Sequence, residues 1–223
     1  MIKCIIFDLD GTLLDTLSTI TYYLNVKIKE YSYPEIDLEE CRRCVGAGAW
    51  RLIKNVLGPR GADEDTMVKF HKEYTALYDT DPRYLTEPYE GIPELIDALS
   101  AKGIKCAVLS NKPDFATRSL IKHYFGDKIP LVHGGRENVP LKPEPDGVFD
   151  ILSELGCAPA ECAYVGDSDV DVYTFLRAGV ALGIAVTWGF RTREELSLAG
   201  ATVFADTPAE IAEIIEEADS AEV

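Results

Sequence analysis

The sequence predicts an α/β protein, a Rossmann-like parallel sheet with an α-helical domain inserted behind its first strand. Three observations carry this. Short apolar runs rich in β-branched residues recur at 3–7, 104–109, 129–132, 162–165 and 180–186. Helix-spaced segments separate the later runs, and alternating buried strands and helices make a parallel sheet covered on both faces. The first run breaks the rule, because helical patterns and no comparable strand follow it as far as the linker Glu87-Pro88-Tyr89-Glu90-Gly91.

The elements follow in order. Residues 15–31, 38–45, 49–57 and 63–80 read as helices, so 15–86 is the helical insertion and 1–14 with 87–223 form the sheet domain. A lone strand at 3–7 needs partners, and only the later runs supply them. Residues 91–102 carry Ile92, Leu95, Ile96 and Leu99 at helix spacing behind Gly91-Ile92-Pro93. Residues 114–124, 145–155 and 169–178 are helical in the same way, the last opening on acids that favour a helix N-terminus. A final helix, 207–218, opens on Thr207-Pro208 and gives way to a frayed acidic tail.

Composition narrows the partners. The 223 residues carry 22 Lys and Arg against 38 Asp and Glu, a net charge of −16. That balance argues against a nucleic-acid or anionic-membrane surface. An anionic small substrate therefore needs positive charge or a cation in its own site. No stretch reaches transmembrane length, and Met1–Phe7 is too short for a signal peptide, so the expected compartment is cytoplasmic. The expected assembly is a monomer or homodimer. Cys41-Arg-Arg-Cys44 has the spacing of half a zinc site or a redox pair, but no second such pair and no nearby histidine support it, so reduced thiols are expected.

Ligands of an open parallel sheet bind beyond the carboxyl ends of its strands. After 3–7 comes Asp8-Leu9-Asp10-Gly11-Thr12, after 104–109 comes Ser110-Asn111-Lys112, and after 162–165 comes Gly166-Asp167-Ser168-Asp169-Val170-Asp171. Leu141-Lys142-Pro143-Glu144-Pro145 lies between the last two. Carboxylates, a hydroxyl and a lysine thus meet on one rim, an oxygen-rich set suited to a hard cation such as Mg²⁺. At period two, Asp8 and Asp10 lean to the same side and repel, so one pKa rises unless a cation compensates. A metal keeps Asp8 ionised to attack phosphorus, Asp10 carries the transferable proton, and Lys142 and Ser110 grip the phosphoryl oxygens. Asp169 reads as a first-turn acid. Asp167 is the better ligand, and Asp171 orients either Lys142 or a metal-bound water.

In these residues the chain resembles the haloacid dehalogenase superfamily, specifically its phosphoglycolate phosphatase-like members. Asp8-Leu-Asp-Gly-Thr-Leu-Leu-Asp15, Ser110-Asn-Lys-Pro113, Lys142-Pro-Glu-Pro145 and Gly166-Asp-Ser-x-x-Asp171 carry the resemblance in order; Pro88-Tyr-Glu-Gly91 and Trp188–Leu196 add to it. The resemblance implies a Mg-dependent phosphatase acting on a small phosphorylated metabolite such as 2-phosphoglycolate, with Asp8 as nucleophile and Asp10 as general acid, then base. It implies Mg²⁺ held by the Asp8 carboxylate, the Asp10 carbonyl and Asp167. Ser110 and Lys142 would hold the phosphoryl group, with Gly11, Thr12 and Asn111 on the substrate side and the insertion acting as a cap. Asp10 separates the chain from dehalogenases, which lack that aspartate. Relatives of β-phosphoglucomutase usually carry a histidine where Ile20 stands, which argues against a sugar-phosphate mutase; a pyrophosphatase is the other enzymatic alternative. A phospho-receiver signalling domain is shorter and lacks the insertion. Residues 45–54 resemble the substrate-choosing cap segment, with Arg51 or Lys54 meeting a substrate carboxylate.

Overall fold

The computed structural model describes residues 1–221. Its strands in chain order are β1 (Cys4–Phe7), β2 (Leu14–Asp15), β3 (Glu87–Pro88), β4 (Lys105–Pro113), β5 (Leu131–Gly135), β6 (Cys162–Gly166), β7 (Leu182–Val186) and β8 (Val203–Ala205). Six of them form one parallel sheet in the order β5-β4-β1-β6-β7-β8. The first strand therefore lies between β4 and β6, where the winding changes direction and a ligand crevice opens.

Period-two alternation sends the sheet's side chains into two cores. Ile5 and Phe7 pack with Cys106, Val108, Ala163 and Val165 beneath helices α5 (Ile92–Ala101), α6 (Asp114–Phe125) and α10 (Pro208–Ala221). Cys4 and Ile6 face the other way, with Ala107, Cys162 and Tyr164, onto α7 (Asp146–Leu155), α8 (Asp169–Ala178) and α9 (Arg193–Ala199). Every β1 side chain is fully buried, and each of its Ile and Phe residues contributes about 1.5–3 kcal/mol. A strand sealed on both faces can hold Asp8 still at its end.

The expected sheet covered on both faces is present. Three details differ. The fourth strand runs on to Pro113, where pairing resumes with Gly135 after a register shift past Leu109, and the unpaired Ser110, Asn111 and Lys112 line the cavity. The segment expected at 129–132 pairs instead as Leu131–Gly135. The last helix continues to Ala221 instead of fraying after 218, and the rest of the expected tail lies outside the described residues.

Between β2 and β3 run α1 (Leu17–Glu30), α2 (Leu38–Cys44), α3 (Ala49–Leu57) and α4 (Glu64–Tyr78). Asp37 and Asp63 cap α2 and α4 by accepting from Glu40 N and Thr66 N. These helices bury Leu24, Ile28, Ile53, Leu57 and Phe70 completely, in a cluster that Ala116 and Phe190 join from the sheet side. The two ends of the helical segment leave side by side, since β2 and β3 pair antiparallel, Leu14 opposite Pro88 and Asp15 opposite Glu87.

Candidate active site

Asp8, Ser110, Lys142, Asp167 and Asp171, expected to converge from four separate segments, are all buried at the carboxyl end of the sheet. Lys142 Nζ lies 2.7 Å from Asp8 Oδ1 and 2.7 Å from Asp171 Oδ1. Asp171 is fixed by the helix that carries it. Ser168 is the N-cap of α8; it gives its N–H (3.2 Å) and hydroxyl (2.6 Å) to Asp171 Oδ2, a capping box closed by an aspartate. Tyr164 OH donates to Asp171 Oδ1 at 2.9 Å. Both Asp171 oxygens are thus engaged, Oδ1 by Lys142 and Tyr164 and Oδ2 by Ser168.

Asp167 is held as firmly. Thr12 Oγ1 donates to its Oδ1 (2.9 Å) and Phe190 N to its Oδ2 (2.7 Å). The backbone crowds it from two sides: a Cβ on Gly11 or on Gly189 would come within 2.3–2.4 Å of Asp167 atoms, and Gly11 also sits at φ +86°. The resemblance implies that Gly11 and Thr12 help form the loop and bring N–H groups near the phosphate. The loop itself takes them, Gly11 N donating to Leu14 O (2.9 Å) and Thr12 N to Leu9 O (3.3 Å). These bonds close the turn, and Thr12 adds its bond to Asp167.

Asn111 lines the cavity above this cluster, but its amide is already occupied. Its Oδ1 accepts from Lys142 N (2.8 Å) and its Nδ2 donates to Lys142 O (3.0 Å) and Gly46 O (3.3 Å). These bonds tie Asn111 to both backbone polar groups of Lys142 and to Gly46. The Asp10 carboxylate pairs with Lys112 Nζ through both oxygens, at 2.9 and 3.2 Å. Arg51 is exposed and does not line the cavity, which meets α3 through Ala49 and Leu52. Lys54, also exposed, stacks over the Trp50 ring.

Electrostatics make this cluster expensive without a cation. Burial pushes the Asp8 carboxyl well above its usual range and Asp171 adds to this, while Lys142 pulls it back. Burial, reinforced by Asp171, raises Asp167 to about 7 against its bonds from Phe190 and Thr12. Burial also works against the Lys142 charge, but Asp171 and Asp8 outweigh it and its pKa ends above the usual lysine range. One oxygen each of Asp8, Asp167 and Asp171 lies within 4.8 Å of the others. Three carboxylates thus share one ammonium, and buried Asp8 Oδ1 has this ion pair but no hydrogen bond. A hard divalent cation between Asp8 and Asp167 fits that oxygen-only set and balances its charge.

Some of the site was not read from the sequence. The partners of Asp167 and Asp171, Phe190 N and Tyr164, sit in a backbone and in a strand core and announce nothing. Lys112 stood inside a quoted motif without a role. Helix α9 carries a visible signal, Thr192 and Glu195 exchanging capping-box bonds.

A family profile described as haloacid dehalogenase-like hydrolase matches residues 5–186, so the chain belongs to the haloacid dehalogenase-like hydrolase family. Within it, the chain is 33% identical over 213 residues to a phosphoglycolate phosphatase of Rhodospirillum rubrum, covering 92% of this chain and 88% of that protein. It is 27% identical to an N-acetylmuramic acid 6-phosphate phosphatase of Pseudomonas aeruginosa, covering 97% and 96%. A crystal structure of a Lactobacillus delbrueckii subsp. bulgaricus protein, provisionally described as a phosphoglycolate phosphatase, superposes with a TM-score of 0.88 at 29% identity, covering 96% and 98%. The chain is a phosphoglycolate phosphatase-like hydrolase of phosphoric monoester bonds.

Proposed function

We propose that this enzyme hydrolyses a small phosphomonoester, such as 2-phosphoglycolate, through an aspartyl-phosphate on Asp8, with Mg²⁺ held by Asp8 and Asp167. The observation that carries this reading is the shared Lys142. One buried ammonium lies 2.7 Å from the attacking carboxylate and 2.7 Å from Asp171, so Asp171 holds the lysine where it can meet the phosphoryl oxygens beside Asp8.

Asp8 forms the new bond to phosphorus as the ester P–O bond breaks, and Asp10 gives its proton to the leaving oxygen. Asp10 then takes a proton from the water that attacks the phosphoaspartate, releasing phosphate and restoring Asp8. The Ser110 hydroxyl and Lys142 neutralise charge on the transferring oxygens. When bound, Mg²⁺ offsets phosphoryl charge and the mutual repulsion of the buried acids. Before each proton transfer Asp10 must leave Lys112. We further propose that residues 15–86 act as a cap hinged at the paired β2 and β3 segments, excluding bulk water on closure. Ile20 lines the cavity and brings no titratable group to it, which favours transfer to water over transfer to a second sugar hydroxyl.

The direct assay is phosphate release from p-nitrophenyl phosphate and 2-phosphoglycolate. It should require Mg²⁺ and stop with chelator, while sugar phosphates and pyrophosphate offered separately should give no isomer and no pyrophosphate cleavage; turnover undiminished in chelator would reject the metal. Thermal unfolding tests the same cluster independently of activity. A carboxyl whose folded pKa exceeds its unfolded value destabilises the fold above the folded pKa, and the cost disappears as pH falls toward the unfolded value. With Asp167 at about 7 and Asp8 also raised, the metal-free protein should gain Tm as pH falls from about 8 to about 6. Mg²⁺ at roughly a hundredfold its Kd contributes about 2.7 kcal/mol, several degrees at this chain length. Its effect should be larger at about pH 8 than at about pH 6 and absent in Asp167→Asn; an equal shift at both pH values would refute the electrostatic account.

A further inference from the structure

We infer that Thr75, Tyr78 and Asp79, together with Lys112, form a subsite that reads hydroxyl groups on the leaving group, so that the preferred substrate is the phosphomonoester of a sugar or polyol. This rests on the phosphatase reading and narrows its substrate class.

The three residues stand at i, i+3 and i+4 on the end of α4, a spacing that places them on one face, and all three line the cavity over Asp8. Thr75 Oγ1, Tyr78 OH and Asp79 Oδ1 are buried atoms with no hydrogen-bond partner among the described residues. Tyr78 is only 5% exposed. A buried polar atom without a partner costs about 1–3 kcal/mol, and packing alone would be served as well by Phe, Val or Leu at these positions. Three such atoms on one cavity wall point to a ligand that completes them.

Geometry places the subsite on the leaving-group side. Lys112 Nζ lies over the Tyr78 ring, 4.5 Å from its centroid, and 2.9 Å from Asp10 Oδ1. The group that protonates the departing oxygen is therefore one lysine away from the Tyr78 ring. The chemistry selects the ligand. Two hydroxyls can donate or accept, but an ionised Asp79 only accepts. A polyol supplies donors to Asp79 and acceptors to Thr75, Tyr78 and Lys112. A leaving group that carries only a carboxylate, as in 2-phosphoglycolate, offers Asp79 no donor and adds negative charge beside Asp79 and Asp10. Ile20, Leu52 and Phe190 on the same walls provide an apolar frame in which unmatched polar groups are penalised.

The test compares kcat/KM of the full-length Mg²⁺ enzyme for 2-phosphoglycolate, glycerol 3-phosphate, a hexose 6-phosphate and p-nitrophenyl phosphate. A site built to bond a hydroxyl rejects analogues lacking it strongly, so one of the two hydroxylated esters should exceed 2-phosphoglycolate by about tenfold or more. Tyr78→Phe, which keeps the ring under Lys112, and Thr75→Val should each lose about tenfold more on that ester than on p-nitrophenyl phosphate. Asp79→Asn provides the same comparison if either variant folds poorly. Preference for 2-phosphoglycolate, or equal losses on all esters, would overturn the subsite alone. Release of phosphate from no ester would overturn the phosphatase reading and this inference with it.

Discussion

Asp8→Asn should abolish turnover, by about 10⁴-fold or more, while leaving the fold intact and the metal-free protein at least as stable as the parent. On the proposed mechanism activity is lost with the attacking carboxylate, since a neutral amide does not form the acyl phosphate. The stability result separates this account from simple damage. Asp8 is charged against burial and against Asp171, and removing that charge leaves Lys142 with its 2.7 Å partner Asp171. Two carboxylates around one ammonium are easier to bury than three. In chelator the variant should therefore melt at or above the parent temperature, by up to about 1 kcal/mol, and its response to Mg²⁺ should shrink. Turnover above about one percent of the parent would remove Asp8 from its role. A fall of several degrees in chelator would show that the Asp8–Lys142 pair stabilises more than the crowded acids cost.

The strand ends were legible because two independent patterns coincide there. Apolar runs locate the parallel strands, and the first polar residues after each run must lie on the carboxyl rim. That reasoning found Asp8, Ser110 and Asp167 without knowledge of any contact. It says less where a role depends on which groups are already bonded. Gly11, Thr12 and Asn111 follow a strand as Asp8 does, yet their donors are consumed by Leu14, Leu9, Lys142 and Gly46. Arg51 illustrates a second limit. The right helix turns toward the cavity, but its inward face is Ala49 and Leu52, and Arg51 is exposed. Short elements were missed for a third reason. The three residues of β8 and the seven of α9 are too few to establish a period, although the Thr192–Glu195 cap marks where α9 begins. Lys112 could have been weighed from its motif, but its pairing with Asp10 spans 102 residues, and no local pattern encodes it.

Lys142→Met should cost both activity and stability, and the size of the second effect tests how the site is built. If Lys142 only gripped the transferring phosphoryl group, the metal-free variant would unfold like the parent. The structure makes it the shared counter-charge of Asp8 and Asp171, with its side chain 2% exposed. Removing one partner of a buried ion pair costs about 3–5 kcal/mol, which at this chain length lowers Tm by roughly ten degrees. Mg²⁺ should recover part of that loss, because it neutralises the same carboxylates from the other side, but it should not recover turnover. The double variant Lys142→Met/Asp171→Asn should regain stability in chelator, since an amide at 171 can still accept from Ser168 through its oxygen and donate its NH2 to the Tyr164 hydroxyl without a net charge. Its turnover should stay as low as that of the single variant. Unchanged stability in Lys142→Met would mean that buried Asp8, already pushed up by burial, takes up a proton as soon as the lysine is lost. The acids would then be coupled to each other more tightly than to Lys142, and the phosphoryl-binding role would have to stand without the electrostatic one.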